Sequence, residues 1–145
     1  MTVRTATAAD VDRIVAFDHV AQRDQGHIAL IRRTIDCGRC FVFEATGVLA
    51  GYAALEYSFY DNGFVAALYV HPEHQRQGIG TRLMQHCESV CETEKLFAST
   101  NLSNLPMQGL LSKLGYQLSG VIENLDPGDP ELVYFKKLAA PRVLR

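Results

Sequence analysis

Leu68-Tyr69-Val70-His71-Pro72-Glu73-His74-Gln75-Arg76-Gln77-Gly78-Ile79-Gly80-Thr81-Arg82-Leu83 joins a strand to a helix through a polar loop. His71-Pro72 ends the strand that begins at Phe64, because the residue before proline is biased away from helix and proline removes a ladder donor. A helix starts at or near Gly78. Its apolar stripe, Ile79, Leu83, Met84, Cys87, Val90 and Cys91, keeps close to 3.6 periodicity. The first-turn N–H groups of such a helix have no internal partner and carry the positive end of its dipole, so they attract an anion. Glycines there let a phosphate approach the backbone. Two nucleotide motifs fail. A dinucleotide fingerprint needs a third glycine where Leu83 stands, and a P-loop needs Gly-Lys-Ser or Gly-Lys-Thr where Gly80-Thr81-Arg82 stands.

Upstream, Met1 to Ala6 reads as a short strand running into Thr7-Ala8-Ala9-Asp10, where Thr7 caps a helix and Asp10 reaches back. Val11, Ile14, Val15 and Val20 mark one face of that helix. A polar break, Gln22 to Gly26, leads to a second helix with Ile28, Ile31 and Ile35 on a common side, stopped near Gly38. Strands follow at Cys40 to Ala45, Val48 to Tyr57 and Phe64 to Val70, turned by Thr46-Gly47 and Asp61-Asn62-Gly63 into an antiparallel meander. Downstream, Leu96 to Thr100 is a buried strand. Asn104 caps a helix whose apolar face is Met107, Leu110, Leu111 and Leu114, closed by Gly115. Tyr116 to Ile122 and Glu131 to Leu138 are the last strands. The order β-α-α-β-β-β-α-β-α-β-β is an α+β arrangement.

The 145 residues form a single domain over 1–145, long enough for one sizeable core. A formal net charge of −2, with no basic stripe interleaved with aromatics, speaks against nucleic acid. No apolar run approaches the ~20 residues of a membrane span, and the N-terminus lacks the continuous apolar stretch of a signal peptide, so a soluble cytoplasmic protein is expected. The four cysteines pair as Cys37/Cys40 and Cys87/Cys91. Neither pair sits in a knuckle loop, and the first precedes a strand rather than opening a helix. They read as small buried hydrophobes, with no metal site expected.

The stretch from Leu68 to Leu83 resembles the acyl-CoA signature of the GNAT superfamily of N-acetyltransferases: Arg or Gln, two residues, Gly, one residue, Gly or Ala, after a strand ending in Val-His-Pro. Val3 to Asp10 looks like that family's first strand and helix entry, and Lys113-Leu114-Gly115-Tyr116 fits a later block. The resemblance implies a mixed, mostly antiparallel sheet of about seven strands flanked by about four helices. It implies acetyl-CoA as co-substrate, its pyrophosphate wrapped by the backbone of Gln75, Arg76, Gln77, Gly78, Ile79 and Gly80 with the N–H of Thr81. The backbone of Leu68, Tyr69 and Val70 would pair with pantetheine, where this strand splays from Leu96 to Thr100, and would donate to the thioester carbonyl. Asn104 falls at the family's cofactor-facing asparagine. Arg76 and Arg82 could add charge toward the phosphates.

Two catalytic positions are open. Leu111 occupies the place where many relatives carry the tyrosine that protonates the leaving thiolate, so water, Tyr69 or another tyrosine would supply the proton. The strand Phe64 to Val70 has no carboxylate to act as base; Glu56 on the preceding strand and Asp61 in the turn are the nearest candidates, Glu56 with a rival reading as an outward-facing strand residue. His27, read as more solvated than catalytic, would border the acceptor with Tyr57 and Tyr60. The implied reaction is acetyl transfer from acetyl-CoA to a primary amine, small-molecule or peptide, by direct attack in a ternary complex. The alternative is an acyl-CoA-binding regulatory or structural module without turnover. The final two strands offer an edge suited to a homodimer.

Overall fold

A computed structural model describes residues 2–138; Met1, assigned above to the first strand, lies outside them. The chain runs β1 (Thr2–Thr5), α1 (Val11–Phe17), α2 (Gln25–Asp36), β2 (Cys40–Ala45), β3 (Val48–Phe59), β4 (Asn62–Val70), α3 (Ile79–Val90), β5 (Lys95–Asn101), α4 (Leu105–Lys113), β6 (Gln117–Ile122) and β7 (Glu131–Lys137). Short 3-10 turns sit at Ala8–Asp10, Ala21–Arg23 and Pro72–His74. The strands form a seven-stranded sheet in the order β1-β2-β3-β4-β5-β7-β6. β4 and β5 run parallel, whereas β1–β2, β2–β3, β5–β7 and β6–β7 are antiparallel. This is the mixed sheet with four helices that the resemblance implied.

The chain divides into two compact units, one made of the residues up to Glu56 with Ala66–Ser89, the other of Tyr57–Val65 with the chain from Val90 onward. In the first unit the α1 and α2 stripes meet β2 and β3, and Ile14, Ile31, Val42 and Tyr52 are fully buried. Its entry is tied by charge. Asp10 accepts from Arg4 at 2.9 Å and from the Thr7 N–H at 2.8 Å, so the expected reach-back forms. Arg4 and Arg13 also grip Glu44. The Arg4 guanidinium brings the Asp10 carboxyl down to about 2, although burial pushes the other way.

In the second unit β5 pairs with β7 along its whole length, and Phe59 stacks on Phe64 and tilts against Phe97, which stacks in turn on Phe135. Asn104 caps α4 as expected, its Oδ1 accepting from the Met107 N–H at 3.1 Å. Leu111 is fully buried.

Three expectations need correction. Val20 does not share the α1 stripe: α1 stops at Phe17, Asp18 turns extended, and Val20 is 45 % exposed. The turn before β4 is Tyr60-Asp61 rather than Asp61-Asn62-Gly63. Both residues have positive φ (53° and 64°), as a two-residue hairpin turn requires, which lengthens both strands. Of the four free thiols, Cys37 is exposed beside the end of α2, while Cys40, Cys87 and Cys91 are buried. Burial pushes the Cys40 thiol up to about 12, so it stays protonated.

Candidate active site

The strand, polar loop and glycine-opened helix expected from the sequence are in place. β4 ends at Val70, and the His71 N–H closes its ladder on the Ala50 carbonyl at 2.8 Å. A 3-10 turn follows, fixed by the His71 ring nitrogen accepting from the Glu73 N–H at 3.0 Å. Arg76 and Gly78 then take positive φ (65° and 79°), which curls the exposed backbone from Gln75 to Gly78 before the helix. The Gly78 carbonyl accepts from the Arg82 N–H at 3.0 Å, so α3 begins at Ile79 and the N–H groups of Ile79, Gly80 and Thr81 have no acceptor within the helix. A Cβ on Gly78 would meet nothing within 4 Å. Open space over a glycine at a helix N-terminus is where a phosphate fits. Arg82 does not turn toward this loop; its guanidinium lies over the Phe43 ring, 5.5 Å from the centroid. Arg76 is exposed on the loop itself.

Beside the loop lies an aromatic group. The two-residue turn sets Phe59 opposite Asn62, and the His71–Ala50 bond at the other end of the hairpin keeps the same register. Tyr52 therefore stands opposite Tyr69. The Phe17 ring stacks on His71 at 5.3 Å, tilts against Tyr69 at 5.8 Å and meets Tyr52 edge-on at 6.4 Å. Phe17 and Tyr52 are buried, while Tyr69 and His71 remain partly exposed.

The Tyr52 hydroxyl donates to Asp18 Oδ2. His27 Nε2 lies 3.1 Å from the same carboxylate oxygen and 2.8 Å from the Tyr52 hydroxyl oxygen. Asp18 Oδ1 accepts from the Val20 and Ala21 N–H groups at 2.9 and 3.1 Å. The Asp18 side chain is fully buried and that of His27 is 19 % exposed. Burial pushes the Asp18 carboxyl up, but bonds from His27, Tyr52 and Ala21 outweigh it and hold the group below its ordinary range. The bond to Asp18 raises His27 above an ordinary imidazole, against burial. Burial and then Asp18 push the Tyr52 phenol up, so it stays protonated. His27, expected to be solvated, is thus half-buried and fixed.

The other expected site residues are distributed as follows. Leu68, Tyr69 and Val70 end β4, each partly exposed. Glu56 is held by Arg33 at 2.8 Å, so a guanidinium occupies this carboxylate. Tyr57 and Tyr60 belong to the second unit. The Tyr57 hydroxyl accepts from the Glu92 N–H at 3.0 Å, and Tyr60 is 83 % exposed at the turn. Asn104 is engaged as the α4 cap. Sequence reasoning missed Asp18 and Tyr52.

The sequence profile described as the Acetyltransferase (GNAT) family matches residues 8–116. A provisionally named [ribosomal protein bS18]-alanine N-acetyltransferase of Bacillus subtilis (strain 168) is 30 % identical over 97 residues. That match covers 63 % of this chain and 64 % of the relative's length. The crystal structure of a GNAT family acetyltransferase from Bacillus cereus ATCC 10987 superposes with a TM-score of 0.89 at 32 % identity, covering 96 % of this chain and 98 % of that one. A provisionally named acetyltransferase from Salmonella typhimurium, solved with its cofactor acetyl-CoA, superposes at 0.77 with 22 % identity, covering 99 % and 98 %.

Proposed function

The chain belongs to the GNAT acetyltransferase family, and on that premise we propose that it transfers an acetyl group from acetyl-CoA to a primary amine. The observation that carries this reading is the curled, glycine-opened backbone from Gln75 to Gly78 leading into the N-terminus of α3. The N–H groups of Ile79, Gly80 and Thr81 with the loop backbone hold the pyrophosphate; side-chain identity matters little to such contacts. The backbone of Leu68, Tyr69 and Val70 pairs with the pantetheine arm and donates to the thioester carbonyl, where negative charge develops as the amine adds.

The acceptor nitrogen attacks that carbonyl directly within a ternary complex, and the carbon–sulfur bond then breaks. Tyr69, the tyrosine within this part of β4, supplies the proton that turns the leaving thiolate into a thiol. A thiolate leaves readily, its conjugate acid having a pKa of about 8.5, so this help is modest in demand. The acceptor class is an α-amino group on a peptide. The support is the Bacillus subtilis relative, named for alanine N-acetylation on a ribosomal protein. The test is thiol release from acetyl-CoA with peptides bearing a free N-terminal alanine, against the same peptides blocked at that amine. Release with free amines alone is expected. Binding of acetyl-CoA with no release on any free amine would overturn the transferase reading.

A further inference from the structure

Resting on the transferase reading, we propose that His27 is the general base that takes the proton from the acceptor ammonium, with Asp18 and Tyr52 as its positioning residues. Acetyl transfer needs the acceptor amine neutral, and β4 offers no carboxylate for that task. The nearest carboxylate on β3, Glu56, is taken by Arg33. What the fold supplies instead is an imidazole oriented by a buried carboxylate. Asp18 leaves the end of α1, caps the following turn through Val20 and Ala21, and meets His27 from the first turn of α2. A carboxylate facing Nε2 keeps the proton on that nitrogen, which leaves the lone pair of the neutral ring on Nδ1. The same logic orients the base of a carboxylate–imidazole dyad in acyl-transfer enzymes.

Place and access agree. His27 meets β3 through Tyr52, whose hydroxyl lies 2.8 Å from Nε2, and Tyr52 stands opposite Tyr69 of the neighbouring β4. Tyr69 lies within the three residues whose backbone is assigned to the thioester. His27 keeps 19 % of its side chain exposed, whereas Asp18 is sealed. Because Nε2 is the nitrogen that faces Tyr52, an acceptor nitrogen over Tyr69 passes its proton to Nδ1 through water. The charged and titratable groups around this imidazole are Asp18 after α1, Asp24 at the start of α2 and Tyr52 on β3, with Tyr69 and Cys40 acting on Tyr52.

The step balances. R–NH3⁺ gives one proton to Nδ1, and the R–NH2 so formed makes the N–C bond. The C–S bond breaks with its electron pair going to sulfur. The sulfur takes a proton from Tyr69, and the adduct's second N–H proton returns through water to the tyrosine. Imidazolium then releases its proton to solvent.

The experiment is thiol release from acetyl-CoA and an alanine-terminated peptide between pH 5.5 and 9.5, with His27 titrated by NMR in the same protein. Parent kcat/KM should rise with pH along a limb whose midpoint equals the His27 titration. H27Q should lose the limb at the His27 midpoint, keep only the one set by the peptide's own amine, and lose about 10²-fold in kcat or more, with acetyl-CoA binding by calorimetry unchanged. D18N should move the limb to lower pH, because the charge that favours imidazolium is gone. Y52F should move it to higher pH, since Asp18 then pulls harder on His27. Y52F keeps the ring and therefore the packing, so it reports even if D18N does not fold. An active parent whose limb at the His27 midpoint stays in H27Q, or does not move in D18N and Y52F, overturns the base assignment alone. A parent that binds acetyl-CoA yet acetylates no amine overturns the transferase reading, and the base assignment with it.

Discussion

Gly51 on β3 lies so close to Tyr69 on β4 that a Cβ added to it would come within 3.0 Å of the Tyr69 carbonyl oxygen. The same atom would stand 3.1 Å from Ile79 Cγ2 and from Leu83 Cδ1, both on α3. One missing methyl group thus lets β3, the end of β4 and the first turns of α3 close on one another. The strand proposed to hold pantetheine and the helix end proposed to hold pyrophosphate share this contact. Gly51→Ala is expected to destabilise the protein by about 1–3 kcal/mol through overpacking, and to weaken acetyl-CoA binding as α3 is pushed back. A thermal melt and a calorimetric titration check both. An unchanged affinity would separate the site from this contact.

Asp10 gives a prediction in acid. Its folded carboxyl stands at about 2, against 3.8 without partners. A group depressed on folding contributes stability above its unfolded pKa and loses it as pH falls through the folded one. The contribution is about 2 kcal/mol at neutral pH, present in full above roughly pH 5 and fading toward pH 2. Urea unfolding of Asp10→Asn against the parent should show that gap at pH 7 and its closure near pH 2.

The Asp18–His27 pair behaves as two opposed terms. Asp18 is depressed, so its share appears above the unfolded carboxylate range and is lost as pH falls through its folded value. His27 is raised, so its share is complete below about 6.5 and is lost as pH rises through its folded value. The pair therefore stabilises most between those ranges. H27Q should cost about 1–3 kcal/mol at pH 5.5 and distinctly less at pH 9, read by chemical unfolding at both.

Leu111 stands where many relatives place a tyrosine, and it is fully buried in α4. A larger ring there meets packed surroundings. Leu111→Tyr is expected to lower stability by about 1–3 kcal/mol and to leave thiol release no faster than in the parent. A rate gain of tenfold or more would show that this position had lacked its proton donor.

The fold was legible where local signals agree with packing. The loop from Gln75 to Gly80 carries its own spacing, and His71-Pro72 and Gly115 punctuate cleanly. The meander was readable because turn-forming residues punctuate its apolar runs, although β2 and β3 are buried on both faces. The errors have local causes. Asn62-Gly63 has the composition of a hairpin turn, yet Tyr60 and Asp61 take the positive φ values, a choice the whole ladder makes through its ends. Val20 keeps helical spacing, but Asp18 binds the Val20 and Ala21 N–H groups and draws the chain out of the helix. The Asp18–His27–Tyr52 group was illegible for the same reason. Its members are 9 and 25 positions apart and sit on three elements, so no pattern in the sequence brings them together. Arg33 on Glu56 is likewise a contact across the fold.

The most direct measurement is calorimetric titration of acetyl-CoA into the parent and into Gly78→Asp. Gly78 has positive φ, which aspartate tolerates better than most residues, and its Cβ would strike nothing, so the variant should fold. Its carboxylate would stand where the phosphates are proposed to lie. Micromolar binding by the parent, weakened at least about tenfold in the folded variant, a loss of about 1.4 kcal/mol, is the expected result. Equal binding by both, or none by the parent, would contradict the placement of acetyl-CoA at the N-terminus of α3.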